Sequence, residues 1–229
     1  MTTSSANRTL TPPREAAVAG IVFSVLMIIG LGIIRLALPD IQTARTMVNA
    51  GFEKALPFAL HIVPFAGIAF LWLLGVLRNR MGETEDKFFA TVFLGSGLLF
   101  VACVFASGAL TEAVLREASS QSNQQVSGEL YYFAREASYS FLNVFGIKMA
   151  GVFMLSTCVV ALRTEFLPRW IAFLGLACCL ALLLIITDWL WIAILLPIWT
   201  MLVSVYILAV RRPTSDNSVF ASRGTPIRS

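Results

Sequence analysis

Lys148 is the one charged residue in the apolar segment 137–162. An ammonium at mid-helix in a bilayer costs on the order of 3 kcal/mol on insertion scales, less where its stem snorkels, so the nitrogen must find a partner or water. Three chemistries answer that need: satisfying headgroups or backbone carbonyls, a structural ion pair, or the handling of a ligand, ion or proton. His61 is the sole histidine, set between two prolines in Pro57-Phe58-Ala59-Leu60-His61-Ile62-Val63-Pro64. Pro64 has no N–H to give the carbonyl of Leu60, which predicts a kinked helix with locally exposed backbone polarity. The imidazole there either donates to a neighbouring carbonyl or passes a proton. Counted inward from the expected outer helix ends, His61 lies roughly 8 Å deep and Lys148 roughly 10 Å, at about 1.5 Å per residue.

Arg35, Asp188, Glu53 and Glu136 fall on the same expected side. Lys148, His61, Asp188 and Arg35 therefore form the candidate intramembrane polar site, with Glu53 and Glu136 as a possible rim and Asp188 as the best-placed counter-ion. Taken singly, each of these charges reads as a snorkelling or solvated group. Together they would tune one another's proton affinities and suit an anionic headgroup or a proton.

Other chemistries are set aside. One histidine cannot supply two imidazole ligands to a haem, and no His, Cys and carboxylate cluster has zinc-site spacing, so neither cofactor nor metal is expected. Gly95-Ser96-Gly97 invites comparison with an intramembrane serine protease, but Phe93 stands where the first glycine of Gly-x-Ser-Gly belongs. Ser96 also enters from the opposite side, roughly 10 Å from the level of His61. A Schiff-base lysine has no supporting motif. No catalytic residue is assigned.

The elements that must position these groups follow from composition. The chain has 229 residues, 58% of them hydrophobic and 13% charged, and its mean hydropathy is +0.81. That is more apolar side chain than a soluble domain could cover, so a bilayer must be the solvent. Segments 16–34, 55–77, 88–111, 137–162, 170–187 and 189–210 are long enough to cross roughly 30 Å of hydrocarbon. The expected fold is all-α, a polytopic bundle of six transmembrane helices, its last two joined by a tight hairpin at Asp188. Six spans put both termini on one face. That face receives eleven of the seventeen basic residues, which predicts both termini inside by the positive-inside rule. The net charge of +4 is then topological signal plus attraction to anionic lipid, and no nucleic-acid partner is implied. Expected partners are membrane lipids, and alternatively another membrane protein or a second copy of the chain.

Residues 1–15 and 211–229 are polar and read as disordered cytoplasmic tails around one domain, 16–210. Arg8 and Arg14 ahead of an apolar run resemble a signal peptide, but the run is too long and lacks a small-residue exit, so a retained first helix is expected. Residues 39–54 suit an amphipathic outer-surface helix. Residues 112–136 form the main extracytoplasmic loop, from which a helix after Gly128 leads into the fourth span. Small residues four apart, Ala16, Gly20 and Ser24, then Ala102 and Ala106, Gly146 and Ala150, Gly175 and Cys179, predict close helix packing. Cys103, Cys158, Cys178 and Cys179 all lie within spans, as small apolar residues without a disulfide.

Val63-Pro64-Phe65-Ala66-Gly67-Ile68-Ala69-Phe70-Leu71-Trp72, then Gly75-Val76-Leu77-Arg78, and the run from Glu85-Asp86-Lys87 through Gly95-Ser96-Gly97-Leu98-Leu99-Phe100 resemble an uncharacterised family of bacterial multi-span membrane proteins. The helix start Leu167-Pro168-Arg169-Trp170 is similar to small multi-span proteins of the same kind. The resemblance implies a bacterial cytoplasmic membrane and supplies no functional residues. A non-enzymatic accessory, assembly or lipid-binding protein is the expected function, ahead of a small ion-coupled transporter and a lipid-modifying enzyme.

Overall fold

In hydrocarbon each crossing segment must close its own backbone hydrogen bonds, which apolar runs of this length do as helices. The computed structural model describes residues 14–37, 52–81, 87–120, 128–164, 167–184 and 190–210. Its elements are α1 (Arg14–Ala37), α2 (Phe52–Met81), α3 (Lys87–Ser120), α4 (Gly128–Tyr139), a π-helical segment (Ser140–Gly146), α5 (Ile147–Thr164), α6 (Arg169–Leu184), a 3-10 turn (Leu190–Ile194) and α7 (Leu195–Val210). No strand occurs among the described residues. Because α4, the π segment and α5 run on without a break, the described chain forms six helical columns. Five are long and apolar enough to cross a membrane, and the described residues of α6 form an apolar helix of 16 residues.

Close approaches at glycines set the packing. A Cβ on Gly20 would collide with the Ser204 hydroxyl and approach Leu73, while one on Gly30 would touch Val63, so α1 lies antiparallel to α2, and α7 meets α1 at Gly20. A Cβ on Gly67 would strike Phe105, and one on Gly97 would meet Leu74 and Phe153, which runs α3 antiparallel to α2 and brings α5 against α3. Gly151 faces Leu183 while Gly175 faces Cys158 and Trp199, joining α5, α6 and α7. The expected small-residue spacing is thus used at Gly20, Gly146 and Gly175, but Ala102 points outward. Between these contacts sits an aromatic core: Phe70 has ring centroids 4.7 Å from Phe23, 5.3 Å from Phe100 and 5.0 Å from Phe153. All four rings are buried, and offset or edge contacts of this kind favour one arrangement over many.

Two elements differ from the sequence expectation. The third helix continues past Thr111 to Ser120, carried by a run of good helix formers and an i,i+4 ion pair between Glu112 and Arg116. The fourth column holds a seven-residue π segment where a continuous α-helix is expected. The Ile147 N–H reaches the carbonyl of Leu142, five residues back, and Gly146 without a Cβ fits beside the Phe141 carbonyl and Cys103. The fifth span is helical through Leu184, and its expected residues 185–187 lie outside the described residues. The expected tails, the outer-surface helix at 39–54 over residues 39–51, most of the short loop before Lys87, the hairpin residue Asp188 and the centre of the 112–136 loop lie outside the described residues, as do the side chains of Arg35 and Glu53.

Hydroxyls in the bundle are satisfied by their own helices or by a neighbour. Ser24, Ser96, Ser156 and Thr157 each donate to the carbonyl four residues back. Thr200, which the Gly20–Ser204 register places opposite Ser24, is the exception among the described residues, a buried hydroxyl with no partner. Thr200→Val should therefore raise stability, by about 1 kcal/mol, because an apolar isostere removes an uncompensated polar group. Thermal unfolding in detergent reads the sign, and a lowered midpoint shows that Thr200 has a partner after all.

Candidate functional site

The contact of Lys148 on α5 with the last described turn of α6 defines the site. In the last described turn of α6, Leu182 O and Leu183 O each accept a hydrogen bond of 2.9 Å from the Nζ of Lys148. Hydrogen bonds from a charged donor are among the stronger ones, and a carbonyl oxygen has two lone pairs with which to accept them. Lys148 is half-buried.

Its neighbours make the reach possible. Gly151 lies one turn further along α5, where a Cβ would come within 3.0 Å of the Leu183 side chain and 3.4 Å of Leu182. Glycine there lets the end of α6 close on α5, so that Lys148 spans the gap with its stem. The π segment directly before Ile147 resets the face that α5 turns toward α6, since each extra residue in a turn rotates the rest of the helix about its axis. Lys148 and Gly151 then lie together on that face.

His61 is elsewhere. Its Nδ1 lies 2.6 Å from the carbonyl of Pro57 on its own helix, and since a carbonyl only accepts, Nδ1 carries the proton of that hydrogen bond. The side chain is exposed on the outside of α2, within electrostatic range of Glu112 on α3. The shared level expected for His61 and Lys148 does not become a shared hydrogen bond: His61 turns to the α2 backbone, Lys148 to α6. Glu136 is exposed with Arg135 3.9 Å away. Asp188, Arg35 and Glu53 fall among the positions whose side chains are not described. Ser96 donates to Val92 O and Phe93 O, so its hydroxyl is engaged by its own helix.

A second polar knot is not legible in the sequence. Ser138 on α4 lies 2.9 Å from the Ser107 hydroxyl and 2.8 Å from the Thr111 hydroxyl, and also donates to Ser107 O. Residues 107 and 111 are four apart and share one face of α3, but their link to position 138 crosses 31 residues of sequence. Ser138→Ala should cost about 1–2 kcal/mol, since it removes three hydrogen bonds between the helices and leaves the buried Ser107 hydroxyl short of a partner. A smaller shift than for an exposed control such as Ala102→Ser would remove the knot from the account of how α3 and α4 are joined.

One described cavity, of about 450 Å³, opens between α1, α6 and α7, lined by apolar side chains with Trp170 and Tyr206. The cysteines are free, Cys158 and Cys179 buried, Cys103 and Cys178 partly so. No group of three metal-binding side chains occurs among the described residues.

Five helices long and apolar enough to cross a membrane give the chain the character of a multi-span helical membrane protein. No protein-family model matches the chain, nor does any curated protein or solved structure.

Proposed function

We propose that this chain is a six-span protein of a bacterial cytoplasmic membrane, with both termini inside, that acts without catalysis by binding lipid or assembling with another membrane component. The observation that supports this reading is the engagement of Lys148 with the α6 carbonyls. The one intramembrane ammonium then has a structural task, and the described cavity lies on another face with an apolar lining. Orientation rests on the basic residues, Arg14, Arg78, Lys87, Arg163 and Arg169 among them, at the end shared by the start of α1 and the close of α2. Interrupted helices also serve ion-coupled transporters, and the π segment beside Lys148 favours that as the second reading.

Purification of the full chain in a mild detergent, combined with mass spectrometry of what accompanies it, separates the two. An accessory or lipid-binding protein retains the same lipid or protein partner in folded Lys148→Met as in the wild type. Loss of a bound small solute or ion from that variant would instead support the transporter reading, and a wild type that retains nothing would sink the accessory one.

A further inference from the structure

We infer that the groove between α1, α6 and α7 is a binding site for one acyl chain of an anionic phospholipid, with Arg169 at its headgroup end. The inference rests on the lipid-binding form of the function proposed above and gives that function a place. Ile198, Met201, Leu202, Val205 and Tyr206 recur at i, i+3, i+4, i+7 and i+8, one stripe of α7 turned to the space between α1 and α6. That stripe is not closed by the protein: Ile198 is 52% and Val205 49% exposed. The volume of about 450 Å³ falls within the roughly 300–1,000 Å³ of ligand sites.

The groove's length selects the occupant. From Tyr206 to Ile198 is eight residues, about 12 Å of helix, which fits inside one leaflet of a roughly 30 Å core. A partner transmembrane helix would need a face running the whole depth, whereas a single acyl chain needs one leaflet. The ends differ in chemistry. Ile28 and Ile198 close the deep end, while Trp170 and Tyr206 occupy the other, the residue types that place an apolar ring below and an N–H or O–H at the headgroups. Arg169 immediately precedes Trp170 at the start of α6 and is exposed. A guanidinium at that level matches a phosphate and favours net negative lipids over zwitterionic ones.

The test uses the full-length protein in detergent, with native mass spectrometry counting retained phosphatidylglycerol or phosphatidylcholine. Val205→Trp fills the groove and should weaken retention of both lipids at least tenfold. Arg169→Gln should weaken phosphatidylglycerol about fivefold, the contribution of one basic residue at an anionic surface, and leave phosphatidylcholine unchanged. Ile68→Trp, on the outward face of α2, should change neither. If Val205→Trp lowers the melting temperature, Ile198→Trp replaces it as the filling variant. Equal retention by the Val205→Trp and Ile68→Trp proteins overturns the groove while leaving lipid binding in place. Equal loss of both lipids in Arg169→Gln overturns the anionic preference. A wild type that keeps neither lipid removes both the groove and the lipid-binding reading beneath it.

Discussion

Gly175→Leu is expected to destabilise the protein by about 3–5 kcal/mol, the largest effect of any single change considered. A Cβ at this position already collides with the Trp199 indole and crowds the Cys158 sulfur. Both neighbours are buried, Trp199 to 4% exposure and Cys158 fully. Overpacking a rigid core costs about 1–3 kcal/mol and at times more. Displacing Trp199 also removes the bond from its Nε1–H to the carbonyl of Ile171, 3.3 Å away, which adds about 1–3 kcal/mol where both groups stay buried. Gly175→Ala should give a smaller loss of about 1–3 kcal/mol, because only one methyl has to be accommodated. Thermal unfolding monitored by tryptophan emission reports both. A leucine variant with the wild-type midpoint would mean that α5, α6 and α7 do not meet at Gly175.

The second large effect belongs to Lys148. Lys148→Met should cost about 2–4 kcal/mol, from two charge-assisted bonds worth roughly 1.5–3 kcal/mol each, less what the carbonyls regain by relaxing. The insertion cost of the lysine does not offset this fully. In the separated helices the same ammonium snorkels toward the headgroups, so most of that cost is common to both states. With the α6 end released, Cys179, now buried, should react faster with a membrane-permeant maleimide in a protein whose other three cysteines are alanine. Lys148→Arg keeps a charge and several donors, and should recover more than half of the stability. If Met and Arg behave alike and Cys179 stays protected, Lys148 does not hold the end of α6.

These two sites divide what is legible in the sequence from what is not. The apolar runs around Gly20, Phe70 and Phe100 are contiguous, so composition alone marks them as helices, and the small residues at Gly20, Gly146 and Gly175 mark contact faces. Lys148 stands out for the same local reason, a charge in an apolar run. Its partner does not, because a carbonyl is present at every residue and nothing in the side chains of Leu182 and Leu183 advertises which donor their carbonyls will meet. The π segment is equally hidden: Ser140–Gly146 has the composition of an ordinary helix, and its wider turn shows only in which carbonyl each N–H meets. The grouping of His61 with Lys148 relies on depth, which the chain encodes. It lacks azimuth, which depends on how α2 and α5 are rotated about their axes.

The sequence by itself determined the class of solvent, the helical state and the approximate span limits, since in hydrocarbon a segment has to satisfy its own backbone and does so from adjacent residues. Only the tertiary structure decided that Lys148 meets carbonyls 34 and 35 residues away, that Ser138 ties to Ser107 and Thr111, and that α1, α6 and α7 leave a groove between them. Those outcomes depend on the packing of bulky rings against glycines, where a few ångströms of helix rotation exchange one partner for another and no local pattern records the choice.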